Sequence, residues 1–397
     1  MVGLLFKIGL TLVIGLAVLY QTVVKDYLLL FYGIGREIQP VSDFPYQCRR
    51  IQDPRLSACE DMWFSEATRK LLLACSDPSS RRHWLPNMGF HNVSGRSLHD
   101  AVIALDVDKP DGDSFEYEVL SMPDFHEPLH LLGLTGGARS RGFELYLVNS
   151  KPSVDPATGA LLDQENVGAN STIEHFKIDF HNNALLHLGT FANDRVVTPN
   201  NIALSTQGGI YFTNDHGVHK TGLGHTLSPI IGSGDLSYCD AKYKCKRVAS
   251  GLKFPNGLAL ARDGLLYVPS TVAGGLHVYE PHVDGSAKKL GVVDVPYSID
   301  NLSVDGKKNI IIAAFPIIAE VAKAFSDPYG YRVPSTILKL YRDQYGNQVW
   351  EKLIEDRDGK VLPLTTTAIH DAKTGRLFLS SIVSPFITVC DPEKKKK

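Results

Sequence analysis

Five oxygen-bearing residues far apart in the chain share one local setting. Glu60, Asn200, Asn256, Asp300 and Asn301 each stand at, or just before, a short apolar strand that turns back on itself. The clearest copy is FPNGLALARDGLLYV at 254–268, where Asp263-Gly264 is hairpin-turn chemistry between two apolar runs. PNNIALSTQGGIYFTN (199–214) and IDNLSVDGKKNIIIAA (299–314) repeat it. Looser copies fall at 59–75, 129–149 and 366–381, opened by Glu60, His130 and Thr366 or Thr367. Two carboxylates and three amides form an all-oxygen set. Calcium takes six to eight hard oxygens in loose geometry, whereas zinc would call for Cys or His. For a lone Asn-Gly such as Asn256-Gly257, turn shaping is explanation enough. The same position filled with Asn, Asp or Glu in four repeats is not explained by turns.

For these residues to act together, the repeats must be wrapped around one axis. Hairpins recurring every few tens of residues, with no helical repeat between them, predict an all-β, six-bladed β-propeller. Each copy supplies the inner strands of one blade. A chain of 397 residues with 44% apolar residues is long enough for that single large core. The formal net charge of −2 offers no basic field for nucleic acid.

The propeller is expected over 48–392, with a connector at 27–47 and a lysine-rich tail at 393–397. Residues 1–26 carry an apolar run, 8–24, at the lower edge of a membrane span. They read as an N-terminal hydrophobic helix, either an uncleaved membrane anchor or a signal sequence; no small-x-small cleavage site follows. The patch YLLLFYGIG (27–35) is too short to span and is expected to pack on the propeller or lie in a membrane interface. The Gly- and His-rich stretch 218–237 reads as a loop over the axis, and 317–325 as a short helix in a similar place.

Six cysteines bear on the compartment. The two ends of a propeller chain meet in one blade, so a Cys48–Cys390 bridge would close the ring. Cys239 and Cys245 suit a local bridge, and Cys59 and Cys75 end one hairpin. The competing reading is free thiols in a reducing compartment. The apolar N-terminus and the sequons at Asn92 and Asn170 favour the oxidising side, with glycosylation there. Either a membrane-anchored protein with its propeller lumenal or extracellular, or a secreted one, fits.

The order of motifs resembles one family. Cys48 with Cys390, Glu60-Asp61, PNN at 199–201, TNDH at 213–216, FPNG at 254–257 and IDNLSVD at 299–305 are similar to the paraoxonase/arylesterase family. Its members are calcium-dependent six-bladed propeller lactonases, related more broadly to gluconolactonase- and regucalcin-like propellers. The resemblance covers nearly all of the chain beyond the N-terminus. It implies a catalytic calcium held by Glu60, Asn200, Asn256, Asp300 and Asn301. It also implies a second calcium held by Asp61, a carbonyl near Leu132, and a carboxylate where this chain has Asn201. The family's histidine pair maps to His130 and to a position near Ser150, where there is no second histidine. Asp215 and His216 are neighbouring candidates, and Phe315 and Ser384 occupy family pocket positions. Asn301-Leu302-Ser303 is a sequon in form, but a buried ligand should stay unmodified.

These readings combine into a calcium-dependent hydrolase of lactones or aryl esters. Water would be activated by His130 or Glu60, and the acyl tail held by 223–231 and 317–325. No Gly-x-Ser-x-Gly elbow is visible. The alternative is a non-catalytic, membrane-anchored propeller serving as a binding platform, since fold alone decides neither. A strictosidine-synthase-like enzyme would lack the axial oxygen set. The oligomeric state is unknown.

Overall fold

The computed structural model describes residues 2–393; the lysines of the expected tail lie outside them. Six four-stranded antiparallel sheets form the blades. Their innermost strands are Asp61–Ser65 (blade 1), Leu131–Arg139 (blade 2), Pro199–Leu204 (blade 3), Ala259–Leu260 (blade 4), Ser298–Val304 (blade 5) and Thr367–Asp371 (blade 6). Each innermost strand touches the next in that order, and the sixth touches the first, so the ring is closed.

The sequence pattern explains the stacking. Middle strands such as KLLLAC and IIIAAF are apolar at nearly every position because a blade is buried on both faces. Side chains alternate across a strand, so Leu71 and Leu73 pack with Phe378 and Val389 of blade 6. Leu72 and Ala74 pack with Leu145 and Leu147 of blade 2. Ile310, Ile312 and Ala314 likewise meet blade 4, while Ile311 and Ala313 meet blade 6. The core is thus a ring of interblade seams rather than one central mass, and the axis is left to polar side chains.

The ring is fastened where the ends meet. Tyr46–Ile51 pairs with Ile387–Pro392 as the outer strand of blade 6, and Cys48 is bonded to Cys390 across that pair. For a sequence separation of 342, chain-entropy models give about 6 kcal/mol. Cys59–Cys75 and Cys239–Cys245 are also disulfides.

Four helices matter for the site. Val2–Leu19 (α1) runs on through a π-helical turn at Tyr20–Val24 into Lys25–Tyr32 (α2). Among the described residues, no helix is long and apolar enough to cross a membrane. Leu10, Leu12, Val13, Ile14 and Leu16 are exposed, whereas Leu30 in α2 is buried against the propeller. The 218–237 stretch, expected to be a loop over the axis, contains a helix, Gly222–Ile231 (α3). Two glycines and Pro229 mask it, since all three are poor helix formers. The helix over 317–325 is a 3-10 turn at Ile318–Glu320 followed by Val321–Ser326 (α4).

Candidate active site on the propeller axis

The site residues sit where the inner strands break register. Pairing skips between Pro199 and Ile202, between Ile299 and Leu302, and between Leu131 and Leu134. Such irregularities re-aim side chains, which is how the adjacent residues Asn200-Asn201 and Asp300-Asn301 both reach the axis. Glycines let the strands close in. A Cβ on Gly133 would lie 2.3 Å from the Asn200 carbonyl oxygen, and one on Gly257 would lie 2.3 Å from Asn301 Oδ1.

Two layers result. The upper layer is the floor of a cavity of about 470 Å³, formed by Glu60, Asn200, Asn256, Asp300 and Thr366. All are buried. Asn200 donates its amide to Asp215 Oδ2 at 3.1 Å, which leaves its Oδ1 without a partner; Glu60 Oε2 is likewise buried and unpartnered. Asp215 also accepts from Asn87 at 2.6 Å and pairs through Oδ1 with His216 Nδ1 at 2.8 Å. Asn256 donates to Thr271 Oγ1, and its Oδ1 accepts from the Gly257 N–H.

Burial pushes the Glu60 carboxyl well above its ordinary range, and the charges of Asp61 and Asp300 push it further. Burial does the same to Asp300, with Asp61 adding to it and a hydrogen bond from Asn256 opposing it. Arg81, buried with Nε and Nη2 unpartnered, is a cation within electrostatic reach of Glu60.

The lower layer is closed. Asp61 Oδ1 accepts from the Met62 N–H and Thr367 Oγ1, and Oδ2 accepts from the Leu134 N–H and Asn201 Nδ2. Asn201 Nδ2 also donates to Asn301 Oδ1 at 2.8 Å, and Asn301 Nδ2 donates to Glu60 Oε1 and Thr367 Oγ1. Burial still raises Asp61 to about 6, against those hydrogen bonds. Asn301 therefore belongs to the plug beneath the floor and does not line the cavity. Beyond the plug, Asp61 and Asn201 face a smaller cavity of about 200 Å³ at the other end of the axis.

The remaining sequence candidates divide. Phe315 and Leu132 line the upper cavity, whereas Ser384, Asp215, His216 and His130 do not. His130 is buried, holds Asn149 through its backbone N–H, and leaves Nε2 unpartnered; burial lowers its pKa to about 4. The Ser150 N–H donates to the His130 carbonyl on the facing strand, so the two residues are neighbours. His216 stacks on His225 of α3 with centroids 3.7 Å apart. Asn92 and Asn170 are exposed, while Asn301 is buried. Sequence reading missed Asn87, Arg81 and His225. All three lie in irregular or weakly patterned segments that carry no repeat signal.

The upper floor fits a hard divalent cation. It presents unpartnered carboxylate and amide oxygens and buried acidic charge needing compensation. Among the described residues, no three His, Cys, Asp or Glu side chains converge as a metal cluster, since amides supply much of the oxygen. The lower layer does not fit one. Asp61 is saturated, and the Asn201 Oδ1 accepts from the Ile202 N–H.

Fold and floor together define a six-bladed propeller with an oxygen-lined axial site beneath an apolar chamber. Residues 157–379 match the family model described as Arylesterase, and the chain belongs to that family. The matched stretch contains Asn200, Asn256, Asp300 and Asn301; Glu60 and His130 lie before it. Serum paraoxonase/arylesterase 1 of Mus musculus is 31% identical over 154 residues, 36% of this chain and 41% of the relative. Serum paraoxonase/arylesterase 2 of Homo sapiens is 29% identical over 140 residues, 34% of this chain and 38% of the relative. The match thus spans about two-fifths of these relatives' length. Among solved structures, a luciferin-regenerating enzyme shares the fold at a TM-score of 0.50 and 12% identity, covering 87% of this chain and 95% of that one.

Proposed function

We propose that the protein is a calcium-dependent hydrolase of lactones or aryl esters. The observation that carries this reading is the pairing of free floor oxygens on Glu60 and Asn200 with an apolar chamber directly above them. Glu60, Asn200, Asn256 and Asp300 would hold the cation, with Asn301 able to join only by giving up its contact with Asn201. A bound calcium ion supplies Lewis-acid polarisation of a carbonyl oxygen. The chamber seats the apolar part of the ester and excludes bulk water. Glu60 would accept a proton from the attacking water and return it to the alkoxide or phenoxide oxygen released when the acyl C–O bond breaks. His130, neutral at pH 7, is the alternative base, acting from outside the lining.

One observation favours a non-catalytic platform instead: the floor presents no histidine. Hydrolysis of phenyl acetate and an aliphatic lactone by the full chain, with calcium and with chelator, separates the two. Calcium-dependent turnover is expected; its absence for both substrates leaves the platform. We place the propeller in an oxidising compartment, lumenal, extracellular or secreted, on the strength of three disulfides and exposed sequons at Asn92 and Asn170. The exposed apolar side chains of α1 support attachment to a membrane surface.

A further inference from the structure

The chamber above the floor has an unexpected wall. Phe31 and Tyr32, the last residues of α2, line it together with Leu85 and Phe254. Tyr27 stacks on Phe31 with ring centroids 4.6 Å apart, so the ring is braced along its own helix. The helix ends at Gly33, in a left-handed conformation with φ +65°, where a Cβ would lie 3.0 Å from Ile317 Cγ1 and 3.2 Å from the Pro316 carbonyl oxygen. That close approach seats α2 against the segment that continues into α4, whose Val321, Ala322 and Phe325 form the adjoining wall. Three residues on, Arg36 lies over the Tyr297 ring, 3.8 Å from its centroid, and donates to the Pro296 carbonyl. Leu30 is buried beside Gly274.

We propose that residues 31–36 belong to the substrate site. Phe31 and Tyr32 are the wall that reads the apolar tail of the ligand, and Arg36 is the positioning residue that latches this wall to the propeller. The ligand class is an ester or lactone, or its carboxylate product, whose polar head meets the floor and whose acyl chain lies between α2 and α4. The inference rests on the hydrolase reading for its substrate, but not for its geometry. The two walls come from opposite ends of the sequence, so selectivity for tail length depends on the N-terminal segment staying docked. A polar tail would leave its groups unpaired against aromatic and aliphatic side chains.

The test uses the full chain in calcium, with decanoate binding by calorimetry and with KM and kcat for phenyl acetate and phenyl decanoate. For Phe31→Ala/Tyr32→Ala, the decanoate Kd and the KM for the decanoyl ester should each rise about tenfold, a typical loss for apolar pocket contacts. The acetyl ester should be affected far less. Arg36→Met should shift both decanoyl values in the same direction without touching the cavity, and Arg36→Lys, which keeps a charge and a donor, should shift them less. Tyr345→Ala, exposed and remote from the cavity, should match wild type. Tyr32 is itself half exposed, so Tyr32→Ala alone keeps the test clear of misfolding. An unchanged decanoate Kd in the double variant overturns the proposal whether or not esters are hydrolysed. If no ester is hydrolysed yet decanoate binding weakens in the variants, the wall stands and the hydrolase reading falls.

Discussion

The two axial layers are built from adjacent residues and differ in almost everything else. Glu60, Asn200 and Asp300 belong to the floor; Asp61, Asn201 and Asn301, one residue later in each case, belong to the plug. In the plug both oxygens of the carboxylate are occupied, by two backbone N–H groups, a hydroxyl and an amide. On the floor, Glu60 Oε2 and Asn200 Oδ1 have nothing. A buried charge that is fully hydrogen-bonded is tolerable, and one that is not costs several kcal/mol. The floor therefore depends on something the chain does not supply, while the plug is complete in itself. One amide makes much of the difference. The NH₂ of Asn201 bridges Asp61 and Asn301, doing with hydrogen bonds what a cation would do with charge.

Removing the floor's charge should have the largest effect. Asp300→Ala is expected to lower kcat/KM for phenyl acetate by at least about a thousandfold, the scale of a lost metal-stabilised step. The fold should survive, because Asp300 packs in no interblade seam. Stability should move the other way. Glu60 and Asp300 have folded pKa values raised above their unfolded values near 4, so the native state holds more protons and stability falls as pH rises through that interval. In chelator, wild type should lose Tm relative to Asp300→Asn as pH rises from about 4, a difference that cancels the buried histidines, whose lowered pKa values act with the opposite sign. Calcium should flatten the slope, and the isosteric Asp300→Asn should reduce it even in chelator. Near wild-type turnover in Asp300→Ala, or a chelated Tm difference between wild type and Asp300→Asn that does not change with pH, would mean the floor is turn chemistry alone.

Converting the plug into a floor is the next test. Asn201→Asp removes the donor shared by Asp61 and Asn301 and sets two carboxylates side by side. In chelator this should cost about 3–5 kcal/mol, the usual range for an uncompensated buried charge. Calcium should restore stability by binding only the folded state, so the calcium-dependent gain in Tm should exceed that of wild type. An equal gain in both proteins would break the comparison between the layers.

How far these layers could be read in the sequence follows from the same geometry. The hairpin repeat exposed Glu60, Asn200, Asn256 and Asp300 because each opens a copy. The separation of adjacent residues into two layers was hidden. Asp300 and Asn301 look equivalent until the break in register between Ile299 and Leu302 sends one up and the other down. Amide orientation was hidden too. Asn200 presents oxygen to the cavity only because Asp215 takes its nitrogen, and no local pattern records that partnership. Residues 27–35 carried only an apolar signal, which left packing on the propeller and lying in an interface equally open. The burial of Leu30 and the seating of Gly33 against Pro316 and Ile317 place this patch on the propeller.

The smallest expected effect tests whether the plug is truly self-sufficient. The single hydroxyl proton of Thr367 is shared between Asp61 Oδ1 at 2.9 Å and the Glu60 carbonyl at 3.0 Å, and its oxygen accepts from Asn301 Nδ2 at 2.9 Å. Thr367→Val keeps the shape and removes the hydroxyl. Asp61 Oδ1 then retains only the Met62 N–H, and Asn301 Nδ2 retains only Glu60. The Glu60 carbonyl keeps Thr366, whose hydroxyl donates at 2.8 Å, so the loss falls on the plug rather than the floor. A hydrogen bond to a buried charged group is worth about 1.5–3 kcal/mol, so Tm should fall by a few degrees. Because the plug is closed by hydrogen bonds and not by an ion, that fall should be the same in calcium and in chelator. A deficit that calcium repairs would show that the lower layer binds a cation after all, and the contrast between the two layers would be one of affinity rather than of kind.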